Sequence, residues 1–470
     1  MAAFFIIFEK KTFLLFLIQK MKKISLSLLL ILALLIISCK ANLSSTTDSK
    51  LVDGHLQWIM QGNIYEVNVR QYTPEGTFDA FAKHLDRLKA MGVQTIWFMP
   101  INPISKLDRK GTLGSYYAVS NYTAINPEYG NLDDFKNLVQ SIHEKGMKVL
   151  IDWVPNHTGA DHNWLKDHPD FFVKDKQGNP AVAFDWADVR QLDYKNPVMQ
   201  DSMITAMKYW VKNTNIDGFR CDVAWNVPAS FWKKSIPELN KIKPLFMLAE
   251  GDSTYLAKSG FDAVYPWHMF KMMEKVAQGK RPAFSLDSIL TENKTRYPKN
   301  TIQMYFTSNH DENSWNHADF GTFPKEVHAP FAVLTQTLKN SVPLIYSGQE
   351  EPVLRAIEFF EKDPMTFKNF EREKFYKTLL ELRKRNKALA ANSCFEKVNM
   401  GDANAIYAYV RKNGKNKILV ILNLSGKEQT IKINNKKLVG KTYSVFEEKE
   451  IILNSNEIQM SPWGYKIYEY

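Results

Sequence analysis

The chain has 470 residues, of which 45% are hydrophobic and 24% charged, and it carries a net charge of +11 at pH 7. That length exceeds one ordinary core and points to two domains or one large barrel with an appendage, and the composition excludes a disordered chain. The net charge gives only a weak nucleic-acid reading: five Lys against one Glu fall within residues 1–39, and most of the remaining positive charge is scattered as on a solvated surface.

The first expected element is a signal. "MKK" at 21–23 precedes a stretch, 24–37, that is apolar apart from two serines, and Ser38-Cys39 follows. A basic start, a short apolar run and a small residue before the cut describe a secretory signal rather than a membrane span. The ending "IISC" resembles a bacterial lipobox, in which Cys39 takes lipid and becomes the first mature residue; a plain signal or uncleaved anchor is the alternative. "FFIIF" and "FLLFLI" fit no part of a signal, so the expected start is Met21 and the signal segment is 1–39. Such a lipid places the protein at the cell envelope of a Gram-negative bacterium, on the outer membrane, facing the periplasm or the outside. Residues 40–56 are polar and Ser/Thr-rich, as a tether is. Cys39, Cys221 and Cys394 offer no disulfide framework.

From residue 63 short apolar runs alternate with amphipathic stretches. The runs are "NIYEVNVR" (63–70), "TIWFMP" (95–100), "KVLIDWV" (148–154), "DGFRCDV" (217–223), "PLFMLAE" (244–250), "FDAVYPW" (261–267), "TIQMYFTS" (301–308) and "VPLIYSG" (342–348). Helical candidates such as 77–92 and 131–146 lie between them, with apolar residues every three or four positions and Gly at their ends. Eight β units separated by helices predict an α/β chain folded as a parallel (β/α)8 TIM barrel. An open doubly wound sheet is the alternative, but "NVRQYTPEG" after the first strand has no Gly-rich phosphate turn. The interval 157–200 is rich in Asp, Asn, Pro and aromatics without helical period, and reads as a subdomain inserted after strand three. The barrel then covers 57–388, and residues 389–470, with "AIYAYVRKN", "KILVILNLS", "QTIKINN", "TYSVFEE" and "GYKIYEY", predict a C-terminal β-sandwich.

In such a barrel chemistry sits at the C-terminal strand ends. Strand three ends with Asp152, Asn156 and His157; strand four with Arg220 and Asp222; strand five with Glu250; strand seven runs into His310 and Asp311. Period-two alternation puts Gly218, Arg220 and Asp222 on one face, where a guanidinium and a carboxylate need partners. Independent structural ion pairs would require a coincidence across four strands.

With "DWVPNH" (152–157), "GFRCDVAW" (218–225), "LAEGD" (248–252) and "FTSNHD" (306–311) in this order, the chain resembles the α-amylase family of retaining α-glucoside hydrolases (glycoside hydrolase family 13). "GSYYAVSNYTAINPEYG" (114–130), "QLDY" (191–194) and "VPLIYSGQE" (342–350) extend the resemblance, which runs from about residue 57 to the C-terminus. The resemblance implies Asp222 as nucleophile, Glu250 as general acid/base and Asp311 as the third carboxylate, which binds sugar hydroxyls and raises the pKa of Glu250. The implied substrate-binding set is Arg220, which would also keep Asp222 ionised, His157, His310, Tyr117 under the ring, and Trp225 as an aromatic platform. The chemistry needs no cofactor. Asn156 and Asp193 match two of the family's calcium (Ca2+) ligands, but Asn226 stands where the family has a histidine, so a structural ion is in question. The expected partner is an α-glucan or maltooligosaccharide, with hydrolysis of α-1,4 bonds first, and transglycosylation, a short-oligosaccharide or cyclomaltodextrin-cleaving activity, or a non-catalytic carbohydrate-binding scaffold as alternatives.

Overall fold

The computed structural model describes residues 49–470, of which 52–470 form one unit. The expected signal, Cys39 and the tether as far as residue 48 lie outside the described residues. The tether ends before residue 56, because His55 and Leu56 are buried. His55 Nδ1 is hydrogen-bonded to Asp262 Oδ1 at 2.8 Å and Nε2 to Asn300 O at 2.9 Å, which staples this polar run to the barrel floor.

Eight parallel strands form the barrel: β1 (Ile64–Val67), β2 (Thr95–Phe98), β3 (Lys148–Trp153), β4 (Gly218–Cys221), β5 (Phe246–Ala249), β6 (Ala263–Val264), β7 (Ile302–Gln303) and β8 (Leu344–Tyr346). From β1 to β7 each pairs with the next in chain order, and β8 pairs with β1. Val342 N donates to Gln303 O at 3.0 Å and Leu344 N to Tyr305 O at 2.8 Å, which closes the ring between β7 and β8. The fold is therefore the expected barrel and not the open sheet.

Covered on both faces, the strands are apolar at nearly every position, as buried parallel strands are. Period two still sorts them: Ile64, Trp97, Leu150, Phe246 and Leu248 share one apolar cluster, while Tyr65, Ile96, Phe98, Ile151, Phe219 and Met247 belong to another. At Gly218 only glycine fits, since a Cβ there would lie 1.9 Å from Phe246 O. The helical candidate at 77–92 is two helices, Phe78–Ala82, capped by Thr77, and Leu85–Met91, ended by Gly92 at φ 103°. The candidate at 131–146 is one helix, Leu132–Glu144, opened by an Asn131–Asp134 capping box.

The insertion after β3 is built on an antiparallel pair, His157–Gly159 with Val189–Gln191. It gives way to the barrel helix Pro197–Thr214 inside the span 157–200 assigned to it, because Asn196 caps Val198 N and Met199 N ahead of Pro197 at the first helical position.

The C-terminal region is antiparallel: β9 (Cys394–Val398), β10 (Ile406–Asn413), β11 (Asn416–Asn423), β12 (Gln429–Lys432), β13 (Gly440–Ser444), β14 (Lys449–Leu453), β15 (Glu457–Met460) and β16 (Tyr465–Glu469). A six-stranded sheet runs β9-β10-β11-β16-β13-β14, and β12 pairs with β15. Alternation divides the duties of β10 and β11. Tyr407, Tyr409, Ile418, Val420 and Leu422 pack into the barrel's cluster, whereas Ile406, Ala408, Val410, Leu419 and Ile421 pack with Ile431 of β12 and Met460 of β15. Arg411 is buried at the seam and donates to Thr337 O (2.8 Å), Leu338 O (2.6 Å) and Ala390 O (2.8 Å), satisfying carbonyls at the end of helix His328–Thr337.

Candidate active site

The polar residues gather at the C-terminal rim. Glu66 lies on β1, Asp152 on β3 and Arg220 on β4; Glu250 follows β5, and His310 and Asp311 open the helix His310–Ser314 after β7. The register of β3 against β4 sets Asp152 beside Arg220. Arg220 is wholly buried, and its Nη1 donates to both oxygens of Asp152 (2.9 and 3.1 Å) and to Asp222 Oδ1 (3.0 Å). Its Nη2 lies 3.2 Å from Glu250 Oε2, Nε donates to Tyr265 Oη at 3.2 Å, and the guanidinium carbon sits 5.1 Å from the centre of Trp97. One cation thus fastens three carboxylates. Expected among the substrate-binding residues, Arg220 is instead a positioning residue: it is enclosed beneath the carboxylates and does not line the cleft.

Arg220 also does not keep Asp222 in the ordinary carboxylate range. Burial, then the Glu250 carboxylate, push Asp222 well up against the pull of Arg220. Burial raises Asp152 as well, to about 6. The physical reason is division of charge. The single guanidinium is divided among Asp152, Asp222 and Glu250, so its pull on Asp222 does not offset burial and the neighbouring carboxylates. Asp222 Oδ2 has no hydrogen-bond partner among the described residues, which leaves that oxygen uncommitted.

Val223, next to Asp222, is held at φ 44°, ψ 35°, a left-handed conformation costly for a β-branched residue. The turn aims Val223 N at Glu250 Oε2, 2.6 Å away. Local strain is thereby converted into a fixed position for the second carboxyl.

Opposite stands a second network. His310 Nδ1 meets Glu66 Oε1 at 2.5 Å, and Nε2 meets Tyr117 Oη at 2.8 Å and Asp311 Oδ2 at 3.3 Å. Tyr117 Oη donates to Asp152 Oδ2 at 3.1 Å, which links the two networks. Burial opposes a charge on His310, but Asp311 and Glu66 outweigh it and raise its pKa to about 9, so the ring is an imidazolium at neutral pH. His157 is the reverse case: burial lowers it to about 3, and it is neutral.

Tyr117, His157, Asp222, Trp225, Glu250, His310 and Asp311 all line one cleft of about 560 Å³. Trp186, Asp188, Lys110, Trp315, Phe359 and Phe360 also line it, none of them singled out in the sequence. The aromatics among them sit in loops without period, where composition is the only available signal. Glu66 could have been noticed as a lone carboxylate inside an apolar strand run.

The residues expected to hold calcium do not fit an ion. Asn156 Oδ1, the oxygen a cation would need, accepts from Asn226 Nδ2 (2.8 Å) and Gln191 Nε2 (3.1 Å). Asp193 Oδ1 accepts from Lys195 N at 2.9 Å, closing its own turn. No group of three or more His, Cys, Asp or Glu able to hold a metal occurs among the described residues. A web of side-chain amides occupies the junction between insertion and barrel.

Known proteins share this layout. The family model for the alpha-amylase catalytic domain matches residues 44–244, and that for the alpha-amylase SusG C-terminal domain matches residues 406–464. Alpha-amylase MalA of Haloarcula japonica is 24% identical over 394 residues, which are 80% of this chain and 57% of that relative's length. A cyclomaltodextrinase of Thermoanaerobacter pseudethanolicus is 25% identical over 441 residues, covering 84% of this chain and 72% of the relative. The solved structure of a maltogenic alpha-amylase from Thermotoga neapolitana matches with a TM-score of 0.80 at 28% identity, over 88% of this chain and 99% of that one.

Proposed function

Because the chain belongs to the alpha-amylase family of glycoside hydrolases, we propose that it cleaves α-1,4-glucosidic bonds in starch- or glycogen-type glucans or maltooligosaccharides, with retention. The observation that carries this reading is the junction of Asp222 and Glu250 through Arg220 at the base of the cleft. Retention needs two carboxyls about 5–5.5 Å apart, and a shared guanidinium favours such a short spacing over the wider one of inverting enzymes. In the first half-reaction the uncommitted oxygen of Asp222 attacks the anomeric carbon, in the fraction of the protein in which Asp222 is the carboxylate. Glu250 gives its proton to the departing glycosidic oxygen as the C–O bond breaks, and a glycosyl ester forms on Asp222. In the second, Glu250 takes a proton from water, the oxygen of which displaces Asp222 and restores both carboxyls. Asp311 and the imidazolium of His310 face the sugar hydroxyls across the cleft, and Tyr117 lies against the ring.

Transglycosylation, or the cleavage of cyclic and short substrates, is the second reading. It is favoured by the exposed Trp225, which packs with Phe184 beside Glu250 and offers a sugar acceptor an apolar seat where water would otherwise enter. Incubation with soluble starch, maltoheptaose, pullulan and a cyclodextrin, followed by product chromatography, separates the two. Asp222→Asn should lower turnover by several powers of ten while the protein stays folded. A variant retaining more than about a tenth of wild-type turnover would mean that another residue is the nucleophile.

A further inference from the structure

A cavity of about 290 Å³ opens on the barrel floor. The loop ahead of β7, the loop ahead of β8 and the helix Leu286–Arg296 enclose it. Loops that precede strands lie at the N-terminal end of the barrel, so this cavity is at the opposite end from the carboxylates, which follow their strands. Period two puts Gln303 and Tyr305 on one side of the chain leaving β7, and both side chains line the cavity.

Gln303 is 3% exposed and Tyr305 1%. Both bond through their backbones alone: Gln303 N donates to Asn340 O at 2.8 Å, and Tyr305 O accepts from Leu344 N at 2.8 Å. The Gln303 amide and the Tyr305 hydroxyl have no hydrogen-bond partner among the described residues, and buried groups of this kind ordinarily have one. Lys294, Lys299 and Lys339 line the same cavity, no Asp or Glu does, and among the described residues no carboxylate pairs with any of the three. Lys294 stands in the last turn of its helix, where the carbonyl ends favour a cation. Lys299 and Lys339 lie in loops without that support. Arg411 spends its donors on backbone carbonyls and so keeps its charge unneutralised nearby. Burial, then Lys294 and Arg411, hold the Lys339 ammonium below its usual range. Folding therefore gathers positive charge around buried, unpaired polar groups, which is a field and a surface for an anion.

We propose that this cavity binds a small phosphate ester of the sugar-phosphate class, its phosphate among Lys294, Lys299 and Lys339 and its hydroxyls against Gln303 and Tyr305. Three ammonium groups match a dianion with three terminal oxygens, to which each Lys offers a point charge. The volume stands at the lower end of small-molecule sites, about 300–1,000 Å³, which suits one sugar ring and excludes a glucan chain. The amide and the hydroxyl would gain in the ligand the partners they lack in the protein. The site is independent of the cleft, and its ligand is a different compound from the substrate.

Titration calorimetry of the whole protein with glucose 6-phosphate, inorganic phosphate and glucose tests this. Glucose 6-phosphate should bind at one site, at least about tenfold more tightly than either of the others. Lys299→Gln combined with Lys339→Gln should weaken it at least about tenfold. The same double variant should hydrolyse maltoheptaose at the wild-type rate in phosphate-free buffer, and its melting temperature should not fall, because like charges are relieved. Tyr305→Phe, which removes only the hydroxyl, should weaken glucose 6-phosphate about threefold to tenfold and leave inorganic phosphate unaffected. Asp222→Asn should bind glucose 6-phosphate as the wild type does; loss of binding there would place the ligand in the cleft and overturn the proposal. No binding by the wild type, undiminished binding by the double lysine variant, or inorganic phosphate bound as tightly as the ester would overturn it too.

Discussion

Replacing Glu66 with Gln removes one of the two carboxylates that keep His310 protonated. Burial lowers the affinity of His310 for a proton, yet Asp311 and Glu66 together bring its pKa from 6.5 up to about 9. That rise corresponds to about 3 kcal/mol favouring the imidazolium. The net gain in stability is smaller, because burial also pushes the Glu66 carboxyl upward and His310 only partly reverses this. The sign follows from a raised folded-state pKa: the contribution is complete below pH 6.5 and is lost as pH rises through about 9. In Glu66→Gln, burial acts against Asp311 alone, and the pKa of His310 should fall by about 1–2 units. At pH 8 the ring would change from about nine-tenths protonated to half or less. Since the ring holds Tyr117 and Asp311, the alkaline limb of kcat/KM on maltoheptaose should move to lower pH by the same amount, and NMR titration of the His310 ring should track it. An alkaline limb and a ring titration identical to those of the wild type would refute the reasoning.

Glu250→Gln should hardly slow attack on a glucosyl fluoride, whose leaving group needs no proton, while hydrolysis of unactivated glucan falls by about two to four powers of ten; equal losses on both would remove the acid/base role. Chelation should leave the melting temperature nearly unchanged, because amide contacts rather than an ion tie the insertion to the barrel. Asn226→Ala should cost about 1 kcal/mol or more, and a chelator-induced drop in melting temperature restored by calcium would contradict both expectations. Cys39, by the proposal that it carries acyl chains at the envelope of a Gram-negative bacterium, should when replaced by Ala release the protein from the membrane fraction or block its processing. Membrane association that survives with residues 21–37 attached would identify an uncleaved anchor.

The barrel was legible because buried parallel strands are continuous apolar runs, and "KVLIDWV" or "PLFMLAE" can hardly be anything else. The carboxylates were legible because each lies at the C-terminal end of such a run or within three residues of it. What local sequence could not supply was the choice of partner. The spacing of Arg220 and Asp222 suggested a private pair, whereas the register of β3 on β4 gives both oxygens of Asp152 to the same guanidinium. Glu66 stayed hidden for a similar reason, since its partner His310 lies 244 residues away. Strands β9, β14 and β15 escaped notice because "CFEKV", "KEIIL" and "EIQM" are only four or five residues long and set charged residues among their apolar ones. The helical period at 77–92 was real, but it spans two helices, because Lys83 and His84 lie between Phe78–Ala82 and Leu85–Met91.

A ribosome delivers Thr337 and Leu338 long before Arg411, yet the carbonyls of that helix end are satisfied by its guanidinium. Until β10 emerges, those oxygens must stay with water, and the barrel surface that Tyr407 and Tyr409 will cover stays exposed. A nascent chain with all eight barrel strands outside the ribosome is therefore still incomplete, a sticky intermediate of the kind that chaperones retain. Maturation of the catalytic half waits on the last segment to be made, and a ribosome that stalls after β8 releases a barrel with an unfinished side.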